Sequence, residues 1–115
     1  MEKIPWSSVK VEHLSDSIQR QMINGSNITI ALLHLAKGAV VPPHSHENEQ
    51  MSLVLEGSIR FFRGTEEFVA RKNEVVHIPP NQEHGAEVLE TFVGVDIFSP
   101  PRHDWIRGDD AYLRK

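Results

Sequence analysis

His44 and His46 stand two residues apart behind Pro42-Pro43, and Gln50 follows four residues later. In an extended backbone, residues i and i+2 point to the same face, so both imidazoles are placed to reach one ion. The prolines fix φ just ahead of them and reduce the entropy lost in presenting the pair. Gln50 heads a strand-like run in phase with Ser52 and Val54, and His84 follows a second rigid turn, Pro79-Pro80-Asn81. Three imidazole nitrogens and an amide oxygen make a closed set for one divalent transition metal: zinc, nickel, manganese or iron. Taken alone, the His-x-His pair also reads as a solvated polar turn. Gln50 also reads as a buried amide bonded to its own loop.

A second group of residues lies late in the chain. Asp96 interrupts an apolar run, on the same face as Phe92 and Phe98 by alternation. A carboxylate there is costly to bury unless it is paired or used. Arg102 comes six residues later, past Pro100-Pro101, and a guanidinium binds carboxylates in bidentate fashion. Either the two form a structural pair, or one works as a base while the other clamps an anion. His77, within a strand, faces solvent or a partner subunit. His103 is a candidate for the mouth of a pocket, and Trp6 and Trp105 for covers over a barrel end. His13 and His34 read as ordinary arm and strand residues, and Met51, Leu53 and Leu55 as core or subunit interface.

These side chains need strands to position them. The segment up to Ser17 lacks periodicity and reads as an irregular arm. Ile18 to Ile23 is strand-like and runs into Asn24-Gly25, a strong two-residue hairpin signal. Further strands are expected over 28–35, 51–55 ending at Gly57, 58–62, 67–70, 74–78, 87–89 and 91–98. A short C-terminal tail after Pro101 has room for a helical turn or two. Many short strands separated by turn signals point to a β-sandwich or small barrel, and no helical pattern supports an α/β fold.

Composition narrows the function. The 115 residues fit a single domain over 1–115, 39% are apolar, and the net charge is −4 with both signs interspersed. No basic stripe advertises nucleic acid. There is no cysteine, which excludes disulfides and thiolate ligands. No window approaches the roughly 18 apolar residues of a membrane helix. The first twenty residues hold no apolar segment of signal-peptide type, so a cytoplasmic protein is expected.

Gly38, His44, His46, Gln50 and Gly57 fall at the spacing of the first cupin motif, over about 38–57, with Gln50 where Glu is usual. Pro79 and His84 fit the second, over about 73–88. Asn73 and Asn81 replace its glycines there and Val88 its final Asn. Asn tolerates the left-handed backbone of such turns. The chain thus resembles the cupin superfamily, which implies an all-β jelly-roll barrel. With IPPN before His84 and the late DIFSPPRHDW, it is similar to the KdgF-type cupins of pectin and alginate breakdown. That resemblance implies a metal held by His44, His46, Gln50 and His84, with acid–base and substrate-positioning roles on Asp96 and Arg102. It implies ring opening of 4,5-unsaturated uronic acid monomers to linear keto acids. A neutral amide in place of Glu leaves a divalent ion its whole charge, which favours acid–base chemistry on a small acidic molecule. Two other readings stand beside it: another metal cupin, a dioxygenase or cyclase, and a non-catalytic binder of a sugar acid. A barrel this small exposes apolar sheet faces, so a homodimer is expected.

Overall fold

The structure is a computed structural model that describes residues 1–114. After a 3-10 turn at Trp6–Ser8, eight strands follow: β1 (Glu12–Ser15), β2 (Ile18–Asn24), β3 (Thr29–Leu35), β4 (Val40–His44), β5 (Glu49–Arg63), β6 (Glu66–Arg71), β7 (Val75–Ile78) and β8 (His84–Ser99). A five-residue helix, α1 (His103–Arg107), and a 3-10 turn at Ala111–Leu113 complete the tail, as the sequence leads one to expect.

The barrel is organised by its two longest strands. β5 and β8 pair antiparallel from Glu49↔Ser99 to Phe62↔Gly85. One half of each belongs to one layer and the other half to a second. β3 pairs with residues 92–98 of β8 and β7 with residues 50–53 of β5, extending one layer out through β2 and β1. β4 pairs with 84–87 of β8 and β6 with 58–63 of β5, making the other. Irregular register between Val54 and Ile59 marks where β5 passes between layers. Gly57 makes that bend possible: its φ is +81°, and a Cβ there would lie 2.1 Å from the Thr91 carbonyl oxygen. The buried apolar side chains, among them Val54, Val88, Phe92 and Phe98, form one cluster between the layers.

Several boundaries differ from the expected ones, each for a local reason. The arm before Ser17 contains β1, whose Leu14 is buried against the barrel. Asn24-Gly25 does not make a two-residue turn: the loop spans 25–28, and the Asn24 side chain accepts a hydrogen bond from Thr29 Oγ1 at 2.6 Å. Gly57 bends β5 without ending it, and β8 runs unbroken where two strands were expected. The proline-rich stretch is itself a strand. β4 is bonded only to β8, and Pro42-Pro43 fall in the register gap between Val41 and His44, where no ladder N–H is required. Met51 is exposed and Leu53 and Leu55 half-buried, facing away from the core, while Ser52 and Val54 point inward. The expected substitutions of Asn for glycine hold, with Asn73 at φ 68° and Asn81 at φ 65°.

Candidate metal centre

β4 ends on His44, the bend after it carries His46, β5 begins beside Gln50, and β8 begins on His84. The β4–β8 ladder pairs His44 directly with His84. Nitrogen atoms of His44, His46 and His84 all lie within 4.8 Å of one another. Each ring is oriented by its own loop. Nδ1 lies 2.8 Å from the Pro42 carbonyl in His44, 3.0 Å from that of Asn48 in His46 and 2.9 Å from that of Gln82 in His84. A carbonyl only accepts, so each Nδ1 carries the proton and each Nε2 keeps a lone pair, the tautomer of a metal-bound histidine. Burial, chiefly, pushes the pKa of His44 and His46 down to about 4 and lowers that of His84 as well. The rings are therefore neutral at physiological pH.

Gln50 completes the set. Its Nε2 donates to Ser52 Oγ at 2.8 Å, which turns Oε1 toward His46 Nε2 at 3.1 Å. With the His46 proton on Nδ1, these two atoms are both acceptors. Two acceptors so close are repulsive unless a cation lies beside both, and this donor set therefore fits a divalent ion.

Behind the histidines is a cavity of about 70 Å³, lined by His44, Gln50, His84, Asp96, Arg102 and Tyr112 together with apolar barrel side chains. Asp96 is 9% exposed and pairs across the sheet with Ser52. Burial raises its pKa to about 6, opposed by the hydrogen bond from Ser52 and the positive charge of Arg102. Arg102 is almost wholly buried. It does not form an ion pair with Asp96: its Nε and Nη2 bond the two Asp104 oxygens at 3.0 and 2.8 Å, and Nη2 also reaches the Tyr112 hydroxyl at 2.9 Å. Burial opposes the charge, but those partners outweigh it and hold the guanidinium above its ordinary pKa. Among the described residues Nη1 makes no hydrogen bond, which leaves one edge of the guanidinium for a ligand.

The backbone that presents Arg102 is also fixed. Its N–H donates to Thr29 Oγ1 at 2.9 Å, and buried Asn48 donates to the Pro100 and Pro101 carbonyls at 2.6 and 3.1 Å. Asn48, Ser52, Asp104 and Tyr112 were not read as site residues from the sequence. Ser52 was visible as the residue in phase with Gln50, whereas nothing in the tail pattern marks Tyr112. Trp105 covers the interior as expected, with its ring edge-on to Phe98 at 5.0 Å. Trp6 is half-buried, outside the core cluster. His103 is exposed and outside the cavity lining. His77 is exposed, 2.7 Å from Glu49, and lines a second cavity of about 350 Å³ that also touches His84.

The family model of the cupin domain matches residues 31–97. The chain belongs to the cupin family. Among curated proteins this cupin is similar to "Pectin degradation protein KdgF" of Dickeya dadantii (strain 3937). The two are 32% identical over 108 residues, which cover 91% of this chain and 94% of the relative. Among solved structures it resembles KdgF from Halomonas sp. at a TM-score of 0.79 and 25% identity, covering 86% of this chain and 94% of that one. It also resembles an RmlC-like cupin from Shewanella frigidimarina NCIMB 400 at a TM-score of 0.79 and 26% identity, covering 86% and 90%. No helix among the described residues is long and apolar enough to cross a membrane.

Proposed function

We propose that this cupin is an enzyme that opens the ring of 4,5-unsaturated uronic acid monomers, giving linear keto acids in pectin or alginate breakdown. The observation that carries the reading is one small cavity lined by His44 and His84 of the three-histidine group, the Gln50 amide, a carboxyl with raised pKa and a guanidinium with an unused edge. Kinship with a pectin degradation protein over 91% of the chain supports the same reading.

The substrate bears a carboxylate on C5, a C4=C5 double bond and a hemiacetal at C1. Opening is an isomerisation, so nothing is added or lost. The C1 hydroxyl gives up its proton, the C1–ring oxygen bond breaks as C1 becomes an aldehyde, and the electron pair passes to the ring oxygen. A proton added at C4 then leaves a ketone at C5. Asp96, raised to about 6, is matched to accept the first proton and return one to carbon near neutral pH. Arg102 Nη1 is the group for the substrate carboxylate, with Asp104 holding the guanidinium in place. His44, His46, Gln50 and His84 would hold one divalent transition metal, zinc, nickel, manganese or iron. Bound there, the ion supplies fixed positive charge for the carboxylate and the charge that develops as the ring opens. A cavity of about 70 Å³, well under the roughly 300–1,000 Å³ of ordinary ligand pockets, favours a monomer over a chain.

The protein acts as a homodimer on this reading. Met51, Ile97 and Val75 are 43%, 37% and 61% exposed and lie on neighbouring strands of one sheet face, in register Met51↔Ile97 and Leu53↔Val75. Such an apolar face is what a second copy would cover. The activity is tested by following loss of the enol-ether absorbance of unsaturated galacturonate with metal-loaded and chelated protein.

A further inference from the structure

The C-terminal tail brings a group into the cavity that the proposed chemistry has not used. The Tyr112 ring stacks on His44, with centroids 4.7 Å apart and planes at 30°. Its hydroxyl oxygen accepts two hydrogen bonds, from Arg102 Nη2 at 2.9 Å and from Trp105 Nε1 at 3.1 Å. A phenol oxygen has two lone pairs and one O–H. Both lone pairs are taken, by groups that can only donate, so the proton is left to donate elsewhere. No described residue receives it, and Tyr112 lines the cavity beside His44, Asp96 and Arg102.

The position is enforced from behind. Asp110, fully buried, binds Arg20 Nη2 of β2 at 2.8 Å and Arg114 Nε at 2.7 Å. The Arg20 guanidinium also lies over the Trp105 ring, 4.4 Å from its centroid. A 3-10 turn starting from Asp110 then carries Tyr112 inward and buries Leu113. An exposed tail would not need a buried ion pair to hold it, so the anchoring indicates that the placement of Tyr112 matters.

We propose that Tyr112 is a further catalytic residue, donating its hydrogen bond to the substrate's ring oxygen as the ring opens. This rests on the ring-opening reading. In an unsaturated uronate, the ring oxygen and the carboxylate are attached to the same carbon. A carboxylate held by Arg102 Nη1 therefore brings the ring oxygen near the phenol that Arg102 Nη2 holds. That oxygen gains negative charge as its bond to C1 breaks, so a donor fixed there beforehand favours the transition state over the bound substrate. The two N–H groups on the phenol oxygen strengthen the remaining O–H as a donor.

Tyr112→Phe keeps the ring on His44 and removes only the hydroxyl. On unsaturated galacturonate it should lower kcat about 100-fold, as loss of one oxyanion donor does, and change KM by less than about threefold. Metal content and the visible spectrum of the cobalt(II)-loaded protein should match wild type, and the pH profile should keep its shape. Tyr112→Leu, which also removes the ring, should lose the same kcat and in addition alter the cobalt spectrum. Wild-type kcat in Tyr112→Phe overturns the inference, and so does a kcat loss that follows loss of metal, since Tyr112 would then only brace the centre. An inert wild type that binds metal overturns the ring-opening reading, and this inference with it.

Discussion

The side-chain oxygen of Gln50 and Nε2 of His46 face each other at 3.1 Å with no proton available between them. Ser52 maintains this by accepting from the other end of the amide, which prevents Gln50 from rotating its N–H groups toward the histidine. Removing that hydroxyl should let the amide flip. Ser52→Ala is expected to weaken divalent-ion affinity by roughly 10- to 100-fold, the usual effect of losing a partner that orients a ligand. Titration of the apo-protein against a competing chelator measures it. Affinity equal to wild type would mean that Gln50 is not a ligand.

Gln50→Glu tests the charge argument. A carboxylate cancels one unit of the ion's charge, so the variant should bind metal more tightly and turn over unsaturated uronate more slowly. Metal affinity and kcat measured on the same preparations separate the two effects. A faster Gln50→Glu enzyme would show that full ionic charge is not what the reaction uses.

Asp96 should cost the fold stability at neutral pH. Its pKa is raised to about 6 in the native state, by burial above all, against an ordinary value near 3.8. Below the ordinary value both states hold the proton and there is no penalty. As pH rises through 6, the native carboxylate must ionise while buried, and the shift corresponds to on the order of 3 kcal/mol. Metal-free Asp96→Asn should therefore melt several degrees above wild type at pH 8 and close to it at pH 3.5, while retaining metal and losing turnover. A variant less stable than wild type at pH 8 would contradict the burial cost.

The histidines act in the opposite direction. His44 and His46, lowered to about 4 by burial, refuse protons that the unfolded chain accepts below about 6.5. Their contribution to stability is present above that value and is lost as pH falls through 4. Metal binding competes with the same protons. The rise in melting temperature on adding zinc should be large at pH 7.5 and much smaller at pH 3, below the folded-state values of His44 and His46. An equal rise at both would place the ion elsewhere.

The apolar sheet face gives a prediction about assembly. Paired Met51→Lys and Ile97→Lys substitutions should convert a dimer to a monomer with little change in melting temperature, because both side chains point outward. Light scattering after size exclusion decides it. A wild type that is monomeric at micromolar concentration would rule out the homodimer.

The sequence made the ligand spacing and the all-β pattern visible because both depend on short-range geometry. Two histidines two apart share a face wherever the chain is extended, and Pro79 and His84 needed only a turn between them. Asp96 was detectable because a charge stands out in an alternating apolar strand. What stayed hidden depends on long-range pairing. Asp104 was available as a partner for Arg102 only two residues away, but six residues of spacing to Asp96 looked equally suitable until the tail's path was known. Tyr112 reaches His44 across 68 positions of sequence, through an anchor between Asp110 and Arg20 that no periodicity encodes. Strand continuity was misread at Gly57 for a related reason. Glycine marks both the end of a strand and the bend of a continuous one, and the partner strand decides between them.

Opening of unsaturated uronates by one metal centre with Asp96 beside it can be tested in a single assay. The most direct measurement is the absorbance of unsaturated galacturonate near its enol-ether band, with metal-loaded wild type, chelated wild type, His44→Ala and Asp96→Asn in parallel. Rapid loss of absorbance is expected with the loaded wild type alone, the other three following the spontaneous rate. Loss no faster than spontaneous with the loaded wild type, or full activity in Asp96→Asn, would contradict it.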